Sequence, residues 1–450
     1  MIAAPLADEL RLRHRGPLIT PADAGYDAAR TTFNGMLDRR PALIARPLDV
    51  ADVVSAVTFA VEAELPVAIR GGGHSVTGHC VGDGSLVVDL RLLREVKVDA
   101  EAGIATCHGG ALWEDFDPVC QRHGLATPGG TFGDTGVAGL TLGGGIGHLI
   151  GAYGLTLDNL LAATVVTSDG HVVLASEGEN ADLFWALRGG GGNFGVVVEF
   201  TFRLHPVGRF LAGFLQYDLD HAPKAIAAWR DIMERAPDNL SCFPGLFRSE
   251  LRNEEGALIS VALLEDESQG GHELVEELID RTSPLVNGLR PMFYPELQEI
   301  FGRLPFGMRN YWSGRFVREL PAQLIDASVE HIARTDLPGS VLFEPIHGTA
   351  ARVAPEATAF AGREARFNVT YIGVWTDPAQ DARQIEHARA HTAVLEPWTI
   401  GGGYLNYASE ASADGLETEY GLERLERLRA VKRGYDPANV FRFNHNVAPD

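Results

Sequence analysis

Apolar residues recur with the period of an α-helix just after Asp49 and form short continuous runs further along. The helical positions are spaced by three to four residues: Val50, Val53, Val57 and Val61. This spacing predicts an amphipathic helix, capped at its N-terminus by the Asp49 carboxylate. The runs PVAIR (66–70) and SLVVDL (85–90) predict two buried strands. LLAATVVTSDGHVVLAS (160–176) predicts a hairpin, because Asp169-Gly170 is a typical turn dipeptide.

The segment after this hairpin predicts a helix at DLFWALR (182–188), a glycine loop, and a strand at VVVEFTF (196–202). Within the loop, Gly190, Gly192 and Gly195 satisfy the spacing G-x-G-x-x-G. A dinucleotide-binding fingerprint needs the strand before these glycines and the helix after them. The order here is the reverse, which argues against a Rossmann-type NAD site.

The composition of the chain changes between about residues 206 and 400. Glycine clusters disappear there, and strand candidates alternate with charged helices, so we expect a second, α+β domain over 206–403. The strand candidates are LISVALLED, SVLFEPIHG and FNVTYIGVW. Glycine clusters return after residue 400, so the predicted first domain consists of residues 1–205 plus 404–450.

Composition and charge narrow the class of protein. The chain has 450 residues, enough for about two domains, and its 45% hydrophobic content is typical of a globular protein. Its 38 Lys and Arg against 60 Asp and Glu residues give a net charge of −22. This charge disfavours nucleic acid and an anionic membrane surface as partners, because both repel a strongly acidic protein.

Cysteine usage and apolar run lengths indicate the compartment. The four cysteines have no CxxC spacing, as expected for a protein from a reducing environment. The N-terminal sequence lacks the apolar run of a signal peptide, and no stretch approaches the ~18 apolar residues of a membrane span. We therefore expect a cytoplasmic protein.

His387 and His391 stand at i and i+4 of a predicted helix, a spacing that two metal ligands can share. Glu386 precedes both histidines, so the motif H-E-x-x-H is absent. The rest of this helix has the pattern of a charged, solvated face. We therefore predict a structural role for the two histidines and no metal site.

The stretch RGGGHSVTGHC (70–80) follows the first predicted buried strand. Its three glycines remove side chains, so that backbone N–H groups can approach an anionic group such as a phosphate. The glycines do not explain His74, whose imidazole is a nucleophile when neutral.

Five segments of the chain resemble the berberine-bridge-enzyme-like flavoproteins, whose flavin domain has the fold of the vanillyl-alcohol oxidase and p-cresol methylhydroxylase (PCMH) group. In chain order they are RGGGHSVTGH, TGVAGLTLGGGIGHLIGAYGLTLDNL, GGGGNFGVVVEFTF, GGYLNY and YDPANVFRFNHNVAP. The resemblance spans nearly the whole chain. It implies an α+β, two-domain flavoprotein with a PCMH-type FAD-binding domain and a substrate domain, whose antiparallel sheet is flanked by helices.

The resemblance implies FAD as the cofactor, attached covalently through His74 to the 8α-methyl carbon of the flavin. In the family, the backbone of the R-G-G-G-H loop binds the pyrophosphate. The residues implied in cofactor binding are Arg70, Gly71, Gly72, Gly73, His74, Ser75, His79, Pro128, Gly129, Thr135, Gly136, Gly139, Gly143, Gly144, Gly147, Gly195, Val197, Tyr404, Asn444 and Asn446.

Two positions of the segment GTFGDTG refine this expectation. Many family members carry a second flavin link from a cysteine, but Phe132 stands at that position here, and Cys107 and Cys120 lie too far upstream. We therefore predict a single covalent link. Thr135 matches the position that controls dioxygen access in the family, where a small side chain is typical of an oxidase. A threonine of the core or of a turn is the equally simple alternative.

The resemblance also implies the catalytic residues. Tyr407 matches the tyrosine that acts as the base in alcohol- and sugar-oxidising members, and Glu344 matches a pocket glutamate of an amine-oxidising member. A phenol with an ordinary pKa of ~10 needs a lowered pKa to act as a base near neutrality. Tyr404 and Asn406 are expected to shape the pocket.

Two further expectations rest on strand alternation. Glu344 and His347 would face opposite sides of a regular strand, although Pro345 can disrupt the alternation. Asn444 and Asn446, which look like flavin-ring contacts, would point the same way.

The implied activity is that of an FAD-dependent oxidase. A C–H bond beside the hydroxyl of an alcohol or sugar gives a hydride to flavin N5, and dioxygen reoxidises the flavin to give H2O2. Tyr407 favours this class, because the O–H proton must leave as the hydride departs. An amine oxidase, a flavin-dependent oxygenase or cyclase, and a flavin-binding protein without turnover are the alternatives. The expected partners are a small-molecule substrate and dioxygen, and the expected state is a monomer or homodimer.

Overall fold

The computed structural model describes residues 3–249, 254–265, 270–303, 305–410 and 415–450. Its helices are α1 (Ala3–Leu10), α2 (Tyr26–Arg30), α3 (Val50–Glu62), α4 (Trp113–Gln121), α5 (Val137–Gly143), α6 (Ile150–Tyr153), α7 (Ala181–Leu187), α8 (Ala222–Met233), α9 (His272–Thr282), α10 (Tyr294–Leu297), α11 (Ala322–Ala333), α12 (Thr349–Arg352), α13 (Asp381–Leu395), α14 (Leu416–Tyr420) and α15 (Leu422–Tyr435). Its strands are β1 (Leu18–Ile19), β2 (Leu43–Ala45), β3 (Val67–Arg70), β4 (Leu86–Asp89), β5 (Val96–Asp99), β6 (Ile104–His108), β7 (Leu125–Ala126), β8 (Leu160–Val166), β9 (Val172–Ser176), β10 (Val196–Arg203), β11 (His205–Pro206), β12 (Phe210–Tyr217), β13 (Leu240–Ser249), β14 (Glu254–Leu264), β15 (Val286–Asn287), β16 (Arg290–Met292), β17 (Arg309–Val317), β18 (Gly339–Pro345) and β19 (Phe367–Trp375).

The first sheet has the strand order β1-β2-β4-β3, in which β2 and β3 both run parallel to β4. The two predicted buried strands are confirmed as β3 and β4. The predicted helix is confirmed as α3, and the Asp49 carboxylate accepts a hydrogen bond from the backbone N–H of Asp52 at 3.0 Å. Strand β3 ends at Arg70, so the glycine loop begins at the edge of this sheet.

The second sheet is antiparallel, with the order β5-β6-β10-β8-β9. Strands β8 and β9 form the predicted hairpin through the turn at Asp169-Gly170. Helix α7 precedes the glycine loop at 190–195 and strand β10 follows it, which confirms the order that excludes a Rossmann fingerprint. The core of this layer joins Trp113 of α4, Phe184 of α7 and Phe200 of β10.

The third sheet has eight strands in the order β15-β12-β14-β13-β18-β19-β17, with β16 also paired to β12. One face carries a core formed with α8, α9, α11 and α13. Along β18, Val341 and Phe343 point into this core, whereas Leu342 and Glu344 point to the other face. This alternation follows from the two-residue period of a strand, and it leaves one face of the sheet free to cover a cavity.

The C-terminal segment packs on the first part of the chain. Leu425 and Leu428 of α15, together with Val447, belong to the same core cluster as α4 and α7. Lys432 and Asp436 form a fully buried ion pair at 2.7 Å beneath it. The division into 1–205 plus 404–450 and 206–403 stays a prediction, and this packing agrees with it.

One face of α13 differs from its expected solvated character. His391 is fully buried, its Nε2 lies 3.2 Å from Oγ of Ser328, and Ala388 packs in the core beside it. The expectation of a solvated helix is therefore wrong for this face, because α13 packs against α11 and the large sheet. Over the described residues, none of the helices is long and apolar enough to cross a membrane.

Candidate active site

A cavity of about 520 Å³ lies between the glycine loops of the first and last parts of the chain and the free face of the eight-stranded sheet. The sequence-predicted residues in its lining are Gly71, Gly72, Gly73, His74, Ser75, His79, Thr135, Gly136, Gly139, Gly143, Gly195, Val197, Glu344, Tyr404, Tyr407 and Asn444. Segments more than 300 residues apart in the chain therefore meet at one site.

Two glycine loops touch through their backbones at the base of the cavity. A Cβ atom on Gly72 would lie 2.5 Å from both N and Cα of Gly136, so only glycine permits this approach. Gly73 has a φ of +83°, in the left-handed region that favours glycine. The loop geometry therefore requires the glycines at 72 and 73.

Arg70 supports this loop from behind instead of lining the cavity. Its buried guanidinium donates hydrogen bonds to the carbonyl oxygens of Ala29 at 2.8 Å and Thr31 at 2.7 Å. Both acceptors belong to the segment that also contains Phe33. Arg70 therefore ties the glycine loop to the segment whose aromatic ring covers His74.

Other glycines of the lining face open space. A Cβ atom on Gly139 or Gly192 would meet no atom of the described residues within 4 Å, so protein packing does not require glycine there. Two buried polar atoms at the lining, Nε2 of His74 and Oδ1 of Asn444, have no hydrogen-bond partner in the described part of the chain. Open glycines beside unpartnered polar groups fit a large, polar bound molecule such as FAD, whose phosphates backbone N–H groups can bind.

The imidazole of His74 is held between aromatic rings. Phe33 stacks on it with ring centroids 4.8 Å apart, and Phe306 meets it edge-on at 5.1 Å. Nε2 of His74 lies 3.6 Å from Oδ2 of Asp134, a residue that sequence reasoning did not single out. The histidine therefore has a fixed orientation at the cavity surface.

Six predicted cofactor residues lie outside the lining: Arg70, Pro128, Gly129, Gly144, Gly147 and Asn446. Gly129 and Gly147 pack against each other, since a Cβ on Gly147 would overlap the carbonyl oxygen of Gly129. Gly144, with a φ of +146°, packs under the ring of Tyr404. These residues shape the loops that form the cavity wall, and Gly130 and Thr131 line it where Pro128 and Gly129 do not.

The C-terminal contacts differ from the expected alternation. Asn444 lines the cavity and donates a hydrogen bond to the carbonyl oxygen of Phe441 at 2.8 Å. Its neighbour His445 also lines the cavity, whereas Asn446 does not, so the expectation that the two asparagines point the same way is wrong. The physical reason is that this segment bends and is not an extended strand.

Glu344 and Tyr407 form a hydrogen-bonded pair at the cavity surface. The Tyr407 hydroxyl donates to Oε1 of Glu344 at 3.0 Å, and Nδ2 of Asn368 donates to Oε2 at 2.7 Å. The side chain of Glu344 is almost fully buried, at 3% exposure. Both carboxyl oxygens are therefore fixed by donors, and Oε1 faces the phenol.

Burial sets the protonation behaviour of this pair. Burial raises the pKa of Glu344 to about 7, against smaller lowering effects from Asn368 and Tyr407. Burial, and then the Glu344 charge, raise the pKa of Tyr407 well above its ordinary value. The lowered pKa that a tyrosine base needs near neutrality is therefore not found for Tyr407, because its phenol is buried and its nearest ionisable partner is an acid.

The neighbouring pocket residues play supporting roles. The Tyr404 hydroxyl accepts hydrogen bonds from the backbone N–H of Gly145 at 2.8 Å and from Nδ2 of Asn406 at 2.8 Å. These bonds fix the loop after α5 against the segment that carries Tyr407. His347 lies outside the cavity, with Nε2 3.4 Å from Oγ of Ser241, so it and Glu344 do not share the site.

The large sheet and its neighbours give the cavity an apolar wall that sequence reasoning did not identify. Its members are Phe243, Phe247, Leu258, Phe301, Trp312, Leu342, Ile372 and Val374. Phe132, the residue at the position of the second flavin link, also lines the cavity and packs 5.6 Å from Phe301. The signal available in the sequence was the alternation of Ser340, Leu342 and Glu344, which places an apolar side chain beside the acid.

The cysteines occupy different environments, since Cys80 belongs to the cavity lining. Cys107 and Cys120 are buried in the core beside the second sheet, away from the lining. Within the described ranges, no group of three or more His, Cys, Asp or Glu side chains is arranged to hold a metal ion.

The fold and this cavity define a two-domain, PCMH-type FAD-linked oxidoreductase. Residues 41–176 match the FAD binding domain family, and residues 403–448 match the berberine and berberine-like family. The chain is 31% identical to (R)-6-hydroxynicotine oxidase of Paenarthrobacter nicotinovorans over 100% of both chains. The chain thus belongs to the berberine-bridge-enzyme-like family of FAD-linked oxidases, as the sequence predicts, and FAD is its cofactor.

Solved structures agree with this assignment. The structure of 6-hydroxy-D-nicotine oxidase from Arthrobacter nicotinovorans superposes with a TM-score of 0.88 at 30% identity over 100% of both chains. A xylooligosaccharide oxidase from Myceliophthora thermophila C1 superposes with a TM-score of 0.87 at 23% identity, covering 99% of this chain and 100% of that one. The second likeness shows the shared fold. The predicted α+β, two-domain fold class is confirmed.

Proposed function

We propose that this FAD-linked oxidase acts on a compact, largely apolar alcohol, and that Tyr407 and Glu344 together remove the hydroxyl proton. The hydrogen bond from Tyr407 to Glu344 on the cavity surface carries the proposal. FAD, when bound, supplies hydride acceptance from the substrate carbon and passes the electrons to dioxygen, which leaves as H2O2.

Two groups acting in series solve the problem of the raised Tyr407 pKa. As the substrate hydroxyl releases its proton to the phenol oxygen of Tyr407, the phenol releases its own proton to Oε1 of Glu344. A free phenolate is never needed. Glu344, with a pKa of about 7, is ionised in a substantial fraction of molecules at neutral pH and therefore acts as the final acceptor.

Asn368 makes Oε1 the reactive oxygen. Its Nδ2 group donates hydrogen bonds to Oε2 of Glu344 at 2.7 Å and to Oγ1 of Thr370 at 3.1 Å. Because Asn368 is fully buried, this donor cannot turn away to water. The carboxyl group is held with its other oxygen toward Tyr407.

The apolar wall selects against highly hydroxylated substrates. Phe247, Leu342 and Ile372 cannot pair with sugar hydroxyls, and a buried hydroxyl without a partner costs about 1–3 kcal/mol. An apolar alcohol instead places its carbon skeleton against this wall and its single hydroxyl at Tyr407. The substrate class is thereby narrower than alcohols and sugars in general.

His74 is the proposed covalent attachment point, and Phe132 the reason for a single link. The imidazole lies at the cavity surface in a fixed orientation between Phe33 and Phe306. A phenylalanine at position 132 has no sulfur with which to form a second bond.

Oxidation of an amine is the second candidate. The lining, within the described residues, contains no Lys or Arg, so the buried Glu344 has no cationic partner there. A substrate ammonium group would supply that charge and give its proton to the carboxylate before the hydride leaves. The similarity to (R)-6-hydroxynicotine oxidase supports this alternative.

A matched substrate series distinguishes the two. Apolar secondary alcohols, cyclic amines of the same ring size and oligosaccharides are mixed anaerobically with the protein, and loss of the flavin absorbance is followed before and after air is admitted. We expect the alcohols to bleach the flavin and air to restore the colour with H2O2 release. Bleaching by the amines alone transfers the assignment to amine oxidation, and bleaching by the sugars alone contradicts the role given to the apolar wall.

A further inference from the structure

The carboxylate of Asp134 is the acidic group that faces His74. Its Oδ2 lies 3.6 Å from Nε2 of the imidazole, slightly beyond hydrogen-bonding distance. Both side chains are largely buried, and Nε2 of His74 has no hydrogen-bond partner within 3.5 Å among the described residues. An imidazole nitrogen without a hydrogen-bond partner therefore faces a largely buried carboxylate oxygen, and the two groups are placed to act as one acid–base pair.

We propose that Asp134 is a positioning residue for covalent flavin attachment, which takes the Nε2 proton of His74 and leaves Nδ1 as the bonding nitrogen. This inference rests on the proposed covalent link at His74. It adds a residue, outside the cofactor contacts, that decides whether the histidine reacts.

The rings around His74 restrict how it can turn. Phe33 stacks on one face at an interplanar angle of 17°, and Phe306 meets the ring edge-on at 86°. Because the aromatic rings confine the imidazole, its remaining freedom is rotation within the ring plane. The ring edge that carries Nε2 faces Asp134, so this contact sets the orientation. A neutral imidazole has one N–H and one lone pair, so a proton directed to Asp134 leaves the lone pair on the opposite nitrogen.

The reaction balances with dioxygen as the oxidant. The new C–N bond replaces one C–H bond of the flavin 8α-methyl group and the N–H bond of the imidazole. The electron pair passes through the flavin to dioxygen, and the two protons leave with it as H2O2. Asp134 accepts the imidazole proton during bond formation and releases it afterwards, so it acts as a base and is not consumed.

The backbone holds Asp134 in place without help from its side chain. The N–H of Gly133 donates to the carbonyl oxygen of Gln298 at 3.2 Å, and the carbonyl oxygen of Thr135 accepts from the N–H of Trp113 at 3.1 Å. Bonds on both sides of residue 134 fix the loop. The variant Asp134→Asn therefore keeps the loop and the size of the side chain, and removes only the ability to accept a proton.

The test measures covalent attachment and not turnover. Full-length apoprotein from riboflavin-limited cells is mixed with FAD and air, samples are precipitated with acid over time, and the flavin retained by the protein is counted. We expect Asp134→Asn to bind as much total FAD as wild type but to attach it about 10²-fold more slowly, the usual contribution of a positioned base. Asp134→Glu should recover part of the rate.

A matched control removes a different negative charge, on a residue that packs against the same loop from outside it. Glu299 lies over Gly133, where its Oε1 would contact an added Cβ, and Glu299→Gln should attach FAD at the wild-type rate. Wild-type attachment by Asp134→Asn overturns the inference, and so does loss of total FAD binding by that variant, which indicates a structural role. If wild type itself retains no flavin after acid, the proposed link at His74 fails first and independently.

Discussion

The hydroxyl of Tyr407 donates a hydrogen bond of 3.0 Å to Oε1 of Glu344, although the two residues are 63 positions apart in the chain. The two side chains together can take up one proton from a substrate. Substitutions at the two positions should therefore not be additive, since either one interrupts the same transfer.

Removing the phenol hydroxyl tests the first member. Tyr407→Phe keeps the ring against Trp312, 5.3 Å away, and should leave flavin content unchanged. The rate of flavin reduction by substrate should fall by about 10²- to 10⁴-fold, while reoxidation by dioxygen stays near wild type. Stopped-flow absorbance separates the two half-reactions.

A matched tyrosine controls for the loss of a hydroxyl from the same sheet. Tyr371 of β19 is fully buried and points into the helix-covered core, and its hydroxyl has no hydrogen-bond partner among the residues that the structure describes. Tyr371→Phe should leave both half-reactions unchanged. Equal reduction rates in Tyr407→Phe and wild type would remove Tyr407 from the mechanism.

The pH dependence of flavin reduction tests Glu344. Because burial raises its pKa to about 7, the carboxyl is increasingly protonated below that pH and loses its capacity to accept a proton. The reduction rate should therefore rise with pH, with a midpoint near 7. In Glu344→Gln the reduction rate should be low at every pH, and its rise near pH 7 should be absent. A rise with the same midpoint in this variant would mean that another group titrates.

Stability should depend on pH through Asp117, a buried acid of α4. Burial raises the pKa of Asp117 to about 8. Nε2 of Gln298 donates to its Oδ2 at 3.2 Å, and its Oδ1 has no hydrogen-bond partner among the described residues. A carboxyl with a raised pKa in the folded state contributes stability at low pH that is lost between about pH 4 and pH 8. The loss is at most about 1.4 kcal/mol for each pH unit crossed.

Asp117→Asn should remove this dependence. Urea unfolding at pH 5 and at pH 9 should show a larger gain in unfolding free energy, relative to wild type, at pH 9. A gain that is equal at both pH values would mean that Asp117 does not titrate in this range.

Alanine substitutions at two glycines of the lining should have different effects, one on stability and one on FAD binding. An alanine at Gly72 brings Cβ within 2.5 Å of the backbone of Gly136, so Gly72→Ala should lower the melting temperature even without FAD. The Cβ of an alanine at Gly192 would meet no described atom of the chain within 4 Å, so Gly192→Ala should fold normally but bind FAD more weakly. Melting curves of the apoproteins and FAD titrations in a His74→Ala background, where binding is reversible, measure these effects.

Gly178→Ala is the control for both, because Gly178 also has open space around it and lies outside the lining. It should change neither the melting temperature nor the FAD affinity. A Gly192→Ala protein with unchanged FAD affinity would contradict the fit of the cofactor to this side of the cavity.

Local patterns in the sequence were sufficient for the elements that form the glycine side of the cavity. The cap at Asp49, strand β3 and the turn at Asp169-Gly170 each depend on residues within a few positions of one another. The resemblance to a family then indicated Glu344 and Tyr407 separately. Neither source revealed that burial, and then the nearby Glu344, would raise the pKa of Tyr407, because both effects depend on contacts between distant segments.

Two errors have a common physical origin. Strand alternation was applied to Asn444 and Asn446, where the backbone bends, so His445 lies in the lining instead of Asn446. The charges of α13 suggested a solvated helix, although Gln384, Ala388 and His391 form a buried face at helical spacing. In both cases tertiary packing decides what a periodic pattern means, and polar side chains such as His391 conceal the buried face.

One face of the eight-stranded sheet lines the cavity, and the other face forms the core with the helices. On β18 and β19, Leu342 and Ile372 meet the cavity, while their neighbours Val341 and Tyr371 fill the core under the helices. An exchange at 342 or 372 alters the shape offered to a substrate and leaves the core contacts untouched. Evolution can therefore change the substrate specificity of this fold through substitutions on the cavity face of the sheet. The residues on the core face can stay unchanged and maintain the stability of the fold.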